Sequence, residues 1–270
     1  MNTLERRMVD ALRNLKEHHA VVGVKAEFEA EGTRMDEMLR LKEVCMRANL
    51  DLTIKIGGCE ALRDMYECKT IGVCRVVAPM VESPFALTKF VAAAKLAFPG
   101  DEQDEVTLGV NIETISACHA FDKMIELPQI NQIGDVVFGR VDMCGSLGLS
   151  RDSINSDVIL KHASELFEKA KRSGLTCCVG GGVSADSLPF FRDLPGLVDR
   201  YETRKVIFAC PAALKSEPEQ ALLKAVGFEL LWLRNKRDYY AAIANEDKQR
   251  LELLESRYRR QIEAVGGTYS

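Results

Sequence analysis

Short apolar segments and amphipathic stretches alternate along the whole chain. The apolar segments begin near positions 20, 52, 73, 106, 134, 175, 205 and 228, and most of the stretches between them place apolar residues at helical spacing. Strands that alternate with helices are typical of a parallel sheet covered by helices. Eight such repeats, with no Pro/Gly/Ser-rich linker between them, predict an α/β fold in which residues 1–270 form a single (β/α)8 TIM-barrel domain.

The pattern also predicts a helix outside the eight repeats at each end of the chain. Residues 1–19 place Leu4, Met8 and Leu12 on one face, so we expect an amphipathic helix that closes one end of the barrel. Residues 238–264 predict a long C-terminal helix. Its apolar stripe is longer than one barrel rim can cover, which favours packing on another subunit and a homo-oligomer. Packing along its own barrel is the alternative.

Composition narrows the classes of partner. The formal net charge is −4 and aromatic residues make up 7% of the chain, so no basic field for nucleic acid is expected. The nine cysteines lie mostly in apolar runs and form no CxxC pair. Their odd number and the missing signal peptide predict free thiols in a reducing cytoplasm. No apolar segment reaches the roughly 20 residues of a membrane span, so we expect no membrane contact.

Two carboxylates follow successive predicted strands in the middle of the chain. Glu113 follows the apolar run 108–112, and Asp142 follows the run 135–141. Ligands of parallel sheets bind beyond the carboxyl ends of the strands, so both acids are expected at one site. Two bare carboxylates repel each other, which predicts a shared proton or a cation between them. Ligation by oxygen alone favours Mg2+ or Mn2+ over zinc.

The same segment carries a family resemblance. Residues 112–114 (IET), 138–142 (FGRVD) and 146–148 (SLG), together with residues 78–83 (APMVES), resemble motifs of the HpcH/HpaI aldolase and citrate lyase beta family. The resemblance fades beyond about Leu149. It implies a TIM barrel of the pyruvate and phosphoenolpyruvate group.

This resemblance implies a divalent-metal-dependent carbon-carbon lyase, aldolase-like, that acts on a small anionic 2-oxo acid such as pyruvate. In the family, the Glu of IET and the Asp of the second motif hold a divalent metal that chelates the oxo acid or its enolate. Those residues correspond here to Glu113 and Asp142, and the implied cofactor is Mg2+ or Mn2+. Within the second motif we take Arg140 as a further catalytic candidate and Gly139 as a substrate-binding candidate.

The end of the first predicted strand departs from the family. Glu27 and Glu29 match its acidic strand end, but Ala30 falls where the aldolases carry their general-base histidine. Alanine cannot move a proton. Either Glu29, Glu31 or a metal-bound water takes that role, or the reaction is a different one. A solvated strand end without catalytic function is the alternative.

Lys55 ends the second predicted strand, where the family has an arginine that clamps the oxygens of the oxo acid. A lysine is a point charge rather than a planar fork. Lys55 could neutralise an enolate or carboxylate oxygen, or act as a base if its pKa were lowered. In the remaining interpretation its side chain only extends out of the strand end into solvent.

Two further residues are candidate substrate contacts. Glu82 could support the metal site or receive a substrate hydroxyl, or it could cap the helix that begins near Pro84. Gly181, in the Gly-rich turn 180–182, could offer backbone amides to a phosphate or carboxylate. Such a turn could equally serve close backbone approach.

Two charged segments receive opposite interpretations. The charges of residues 201–205 are expected to precede a strand, on the face of a barrel that carries stability, so we interpret Glu202 and Arg204 as structural. The basic run 234–237 follows the last predicted strand and could bind an anionic substrate or a CoA phosphate.

Two alternative functions remain open. A citrate-lyase-type enzyme would act on a CoA thioester, which the acidic strand end and the missing histidine at Ala30 favour. A catalytically altered barrel with a binding or assembly role is favoured by Ala30 and Lys55 together, since both depart from the family.

Overall fold

Eight strands form a closed barrel in a computed structural model that describes residues 1–215 and 217–268. Each strand pairs with its neighbours in chain order, and β8 closes the barrel on β1. The prediction of a TIM-barrel-type α/β fold is therefore confirmed. The strands are β1 (Val21–Glu27), β2 (Asp51–Lys55), β3 (Arg75–Ala78), β4 (Thr107–Asn111), β5 (Ile133–Gly139), β6 (Thr176–Gly180), β7 (Arg200–Glu202) and β8 (Val206–Ala209).

Helices cover the outside of the barrel, and most of the apolar core lies between them and the strands. Side chains that cap backbone N–H groups fix several helix starts. Asn2, Ser83 and Thr114 each accept such a hydrogen bond at the first turn of a helix. The helices are α1 (Thr3–His19), α2 (Met35–Arg47), α3 (Leu62–Ile71), α4 (Pro84–Ala97), α5 (Ile115–Ile125), α6 (Arg140–Ser146), α7 (Asp157–Arg172), α8 (Leu188–Arg192) and α9 (Pro218–Ala264).

The last two strands depart from the predicted βα alternation. Successive strands from β1 to β7 are parallel to one another, whereas β8 runs antiparallel to both β7 and β1. A short turn joins β7 to β8, with the backbone N–H of Thr203 donating to the carbonyl of Val206 at 2.9 Å. The prediction that each strand is followed by a helix is therefore wrong at this hairpin.

The hairpin changes the position of Glu202. Because β7 runs parallel to β6, Glu202 lies at the carboxyl end of its strand, the end at which Glu113 follows β4. Residues 201–205 do precede a strand, β8, but β8 runs antiparallel, so the expectation that they lie on the opposite face was wrong. Glu202 is consequently a residue of the barrel mouth.

The predicted eighth strand, residues 228–233, is part of α9. Its apolar residues continue a helical pattern rather than a strand pattern. Phe228 and Trp232, four residues apart, are buried, whereas Leu230 and Leu233 are about half exposed. The C-terminal helix therefore begins at Pro218 and not near residue 238.

Helix α1 lies against α2 and α9 in the outer layer, so it does not close the barrel end as predicted. Asn2 donates from Nδ2 to Oδ1 of Asn235 at 2.6 Å, and Glu5 pairs with Arg40. Beyond this contact, residues 241–261 of α9 are exposed in the single chain. The alternative that this segment packs along its own barrel is not what the structure shows.

Charged side chains occupy the interior of the barrel below the mouth. The carboxylate of Asp135 lies between Arg75 and Arg200 and pairs with both. Above it, Val77, Val137 and Cys178 form a small apolar layer. No helix in the described parts of the chain is both long and apolar enough to cross a membrane.

Candidate active site at the barrel mouth

Glu113 is a buried carboxylate that directly follows β4. Its Oε1 accepts a hydrogen bond from the backbone N–H of Met80 at 3.0 Å, and its Oε2 accepts one from Nδ2 of Asn111 at 2.8 Å. Burial raises the pKa of Glu113 above its usual value, although the charge of Lys55 and both hydrogen bonds oppose the shift. The structure thus holds an acid whose charge is only partly compensated.

Gly139 makes room for this carboxylate. A Cβ atom at position 139 would lie 2.6 Å from Oε2 of Glu113, closer than side chains approach one another. Any other residue at the end of β5 would displace the Glu113 carboxylate. Substrate binding by Gly139 stays a prediction, but the geometry already explains why a glycine is needed there.

Asp142 lies in the first turn of α6 and is exposed. The strand β5 ends at Gly139, so Asp142 does not directly follow a strand as the sequence suggested. Its negative charge nevertheless contributes to the raised pKa of Glu113. The two predicted metal ligands are therefore close enough for their charges to interact.

Lys55 reaches into this group of acids from the end of β2. Its Nζ lies 2.7 Å from Oε2 of Glu29, and 12% of its side chain is exposed. Burial alone would lower the pKa of Lys55, but the hydrogen bond to Glu29 and the charges of Glu27 and Glu113 raise it. Lys55 is thus a protonated cation, which opposes the interpretation as a base with a lowered pKa.

A second lysine, Lys25, lies on the other side of the mouth and was missed by the sequence reasoning. Its Nζ donates to Oε1 of Glu202 at 2.5 Å and lies 3.1 Å from Oε1 of Glu27. Burial alone would lower the pKa of Lys25, but these two acids raise it. The strand alternation could have identified Lys25, since it lies two residues before Glu27 and shares its face. Glu202 could not be found while β7 went unrecognised.

The loop that follows β1 is fixed by ion pairs. Lys205 and Arg204, at the β7–β8 turn, both pair with Glu31. Ala30 is exposed, and the carboxylate of Glu29 is the one that contacts Lys55. Of the two loop glutamates that could replace the missing histidine, Glu29 is therefore the better placed.

Arg140 is buried and holds loops together. Its guanidinium donates to the carbonyls of Gly180 at 3.2 Å and Gly181 at 2.9 Å, and also to the hydroxyl of Ser187 at 3.1 Å. Burial lowers the pKa of Arg140 to about 10. With this many donors engaged, Arg140 positions the turn after β6 against the start of α6, which opposes its interpretation as a catalytic residue.

Gly181 serves close backbone approach in this contact. It has a φ of +81°, and a Cβ at this position would lie 2.8 Å from the backbone N of Val141. The carbonyl of Gly181 is taken by Arg140. Contact of its amide with a substrate phosphate or carboxylate stays a prediction.

Glu82 contacts the residue next to Glu113. The hydroxyl of Thr114 donates to Oε1 of Glu82 at 2.6 Å, whereas Ser83 caps α4 by accepting from the N–H of Ala86 at 3.1 Å. The alternative that Glu82 caps this helix was therefore wrong. Its contact with Thr114 places Glu82 beside the predicted metal ligand Glu113, where its supporting role stays a prediction.

The basic run 234–237 lies on α9, and two of its cations are paired with acids. Lys236 donates to Glu37 at 3.0 Å, and Arg237 donates to Asp238 at 2.7 Å. These pairs weaken the interpretation of the run as a CoA phosphate contact.

The residues at the mouth fit a hard divalent cation. Oδ1 of Asn111 is buried without a hydrogen-bond partner, next to the carboxylate of Glu113. Residues 1–215 and 217–268 contain no cluster of three or more His, Cys, Asp or Glu arranged to hold a metal. Mg2+ is usually bound through one or two carboxylates and keeps several waters, so Glu113 and Asp142 suffice for Mg2+ or Mn2+ but not for a closed zinc site.

Comparisons with known proteins define the fold further. No model of a known protein family and no curated protein matches the sequence. An HpcH/HpaI aldolase from Desulfitobacterium hafniense DCB-2 superposes with a TM-score of 0.59 at 15% identity, covering 72% of this chain and 82% of that one. An HpcH/HpaI aldolase/citrate lyase family protein from Burkholderia cenocepacia J2315 gives 0.59 at 14% identity, covering 87% and 100%. The citrate synthase SbnG gives 0.55 at 12% identity, covering 84% and 98%.

This chain therefore has the barrel fold of HpcH/HpaI aldolases, as the motifs around Glu113 and Asp142 predicted. At these identities the likeness is one of fold.

Proposed function

We propose that the protein is a divalent-metal-dependent carbon-carbon lyase of the HpcH/HpaI aldolase type that acts on a 2-oxo acid such as pyruvate. One observation carries the proposal. The buried carboxylate of Glu113 lies at the carboxyl end of β4 and is in electrostatic contact with both Asp142 and Lys55. The fold likeness to HpcH/HpaI aldolases supports the same reaction class.

Each residue then has a defined task. Glu113 and Asp142 hold the cation, and the free Oδ1 of Asn111 can accept a hydrogen bond from a metal-bound water or add an oxygen ligand. When bound, a divalent cation stabilises the negative charge that develops on the carbonyl oxygen of the substrate. Lys55, which stays protonated, attracts the carboxylate of the oxo acid to the mouth.

Glu29 is our candidate for the proton transfer that Ala30 cannot perform. Its side chain is 31% exposed, so it reaches both solvent and Lys55. A carboxylate can exchange a proton with the carbon next to the carbonyl if the substrate lies against Lys55. The variant Glu29→Gln should therefore slow proton exchange on the substrate.

A second candidate uses the same site with a CoA thioester, as in a citrate-lyase-type enzyme. Ala30 favours it, because that branch does not need the aldolase histidine. A barrel that has lost catalysis and serves a binding or assembly role is a third candidate, and Lys55 in place of arginine is the observation that favours it.

The proposal is tested by exchange of substrate protons. Incubation with Mg2+ and pyruvate in deuterated water should deplete the methyl signal of pyruvate in the NMR spectrum, because formation of the enolate releases a proton. Acetyl-CoA in place of pyruvate tests the second candidate. Absence of exchange on both compounds would contradict a lyase and favour the third candidate.

Metal binding is tested by calorimetric titration of Mn2+. Glu113→Gln should abolish or strongly weaken binding, because it removes the charge of a ligand. Asp186→Asn is the matched control, since Asp186 is an exposed acid in the segment that follows β6. Unchanged affinity in Glu113→Gln would refute the assignment.

A further inference from the structure

The second half of α9 extends beyond the barrel. Residues 241–261 are exposed, and several of their apolar side chains, such as Leu251 and Leu254, have 58% of their surface in contact with solvent. The segment 240–262 is about 33 Å long at the rise of an α-helix. A helix of this length with an apolar stripe and no covering surface is not expected to remain unpartnered.

The apolar stripe has a regular period. Its positions follow one another at intervals of three, four and four residues, and the pattern then repeats. An 11-residue repeat stays on one side of a nearly straight helix and is typical of paired helices with little or right-handed supercoil. The positions are Tyr240, Ile243, Asp247, Leu251, Leu254, Tyr258, Ile262 and Val265.

We propose that this stripe binds the same stripe of a second copy of the chain, with the two helices antiparallel, so that the protein forms a two-fold symmetric dimer. Such a contact is isologous, because each copy offers the same surface to the other.

The order of residues in the stripe specifies the antiparallel orientation. The intervals read the same from both ends, so one antiparallel register places every stripe position of one helix opposite a stripe position of the other. In that register Leu251 lies opposite Leu254 of the second copy, and Asp247 lies opposite Tyr258, whose hydroxyl can donate to the carboxylate. A parallel dimer would instead place Asp247 against Asp247 in an apolar seam, where like charges repel.

Charges beside the stripe favour the same register. On one flank Glu246 comes near Arg257 of the second copy, and on the other Lys248 comes near Glu255. The two-fold axis repeats each pair. Exposed pairs of this kind add little affinity, but they select the orientation of paired helices.

The end of each helix then reaches the barrel of the other copy. A groove of about 880 Å³ lies where α9 leaves the barrel, and Leu4, Trp232 and Tyr239 are among its lining residues. In the antiparallel register, Ile262 and Val265 of the second copy approach this groove. It offers apolar surface to the end of the stripe.

The mass of the protein in light scattering after size exclusion tests the dimer. The full chain should have twice the mass of one chain, and Leu251→Asp should reduce it to one chain. Leu253→Asp is the matched control, because Leu253 is 52% exposed but lies off the stripe. A monomeric parent chain, or an unchanged mass in Leu251→Asp, would overturn the proposal. Circular dichroism checks that both variants keep their helix content.

A charge pair tests the orientation. Leu251→Glu alone and Leu254→Lys alone should each weaken the dimer. Combined in one chain, the two substitutions face each other across an antiparallel seam and should restore the dimer at low salt. In a parallel dimer each substitution would face its own copy, so a double variant that stays monomeric would refute the antiparallel arrangement.

Discussion

The two sides of the barrel mouth use the same residue types in different ways. On the side of β1 and β7, Lys25 pairs with both Glu202 and Glu27, and all three side chains are buried. On the side of β2 and β4, Lys55 pairs with the partly exposed Glu29, and Glu113 has no direct ion pair within 4.0 Å among the described residues. The first side is closed to solvent at all three residues, whereas the second is open to solvent at Glu29; we call them the closed side and the open side.

This difference indicates where a ligand can act. Buried polar groups normally have all their hydrogen-bond partners, and exceptions require an explanation. The closed side obeys that rule, because Lys25 of β1 pairs with Glu202 of β7. The open side leaves Oδ1 of Asn111 without a partner and leaves Glu113 with a raised pKa. We infer that the buried ion pairs of Lys25 with Glu27 and Glu202 stabilise the barrel, and we call these three residues the brace. Lys55, in contrast, is the residue that we propose contacts the substrate.

The largest expected effect is loss of the brace. Lys25→Met leaves Glu202 and Glu27 buried without their cation, so the free energy of unfolding should fall by about 3–5 kcal/mol at neutral pH. Urea denaturation measures this loss of unfolding free energy. The double variant Lys25→Met with Glu202→Gln should lose less, since it removes one of the uncompensated charges. A loss below about 1 kcal/mol in the single variant would show that the pair is no brace.

The pH dependence of this brace has a defined sign. The pKa of Glu27 is lowered below its usual 4.5, despite burial, by Lys25 and Lys55. Its contribution to stability is therefore present above pH 4.5 and is lost as the pH falls through the lowered pKa. In Lys25→Met this loss should begin at a higher pH than in the parent chain.

The second effect concerns turnover on the open side. Lys55→Met keeps the stem and removes the charge, so proton exchange on pyruvate should slow about a hundredfold, as when one preorganised donor is removed. At a pH where Glu113 is ionised, Mn2+ affinity should not fall, because Lys55 repels rather than binds the cation. Lys55→Arg tests geometry: recovery would show that the site accepts a planar fork. If Lys55→Met exchanges protons as fast as the parent, Lys55 has no role at the substrate.

The comparison also shows what the sequence could reveal of the site. The positions of Glu113 and Lys55 at the mouth were predictable because each lies at the end of an apolar run, and strand ends of a parallel barrel share one mouth. The partner relations were not predictable. Nothing in the local sequence indicates that Lys25 contacts Glu202, which is far away along the chain, or that Arg140 donates to the carbonyls of the turn after β6.

The sequence predicted the first six strands and the strand at 206–209, which is β8, but it missed β7 and wrongly predicted a strand at 228–233. Strands β7 and β8 are short, and the charges around the turn at residues 203–205 resemble an exposed loop. The run 228–233 is so apolar that it resembles a strand, although its burial follows helical spacing at Phe228 and Trp232. Packing of α9 on α1 is what makes residues 228–233 a helix rather than a strand.

The third effect is the pH dependence of Mn2+ binding at Glu113. Glu113 must be ionised to bind a cation, and its pKa is raised by burial. Mn2+ affinity should therefore fall by up to about tenfold per pH unit below that raised pKa, at a higher pH than an ordinary glutamate would give. Lys55 lowers the pKa of Glu113, so in Lys55→Met the fall should begin at a still higher pH. Titrations between pH 5 and 8 measure this, and identical profiles would show that the two groups are not coupled.

The smallest effect is expected for the ion pair on the open side. Glu29→Gln removes the partner of Lys55, but its side chain is 31% exposed and water can solvate the released ammonium. Partly exposed pairs contribute about 1 kcal/mol or less, so urea denaturation should show a loss in that range. Glu27→Gln, two residues earlier and buried, is the matched control and should lose more. A small loss in Glu29→Gln would also allow any slowing of proton exchange to be assigned to chemistry, because the barrel around Glu113 would be intact. A loss as large as that of Lys25→Met would instead place Glu29 in the brace and remove it as the proton-transfer residue.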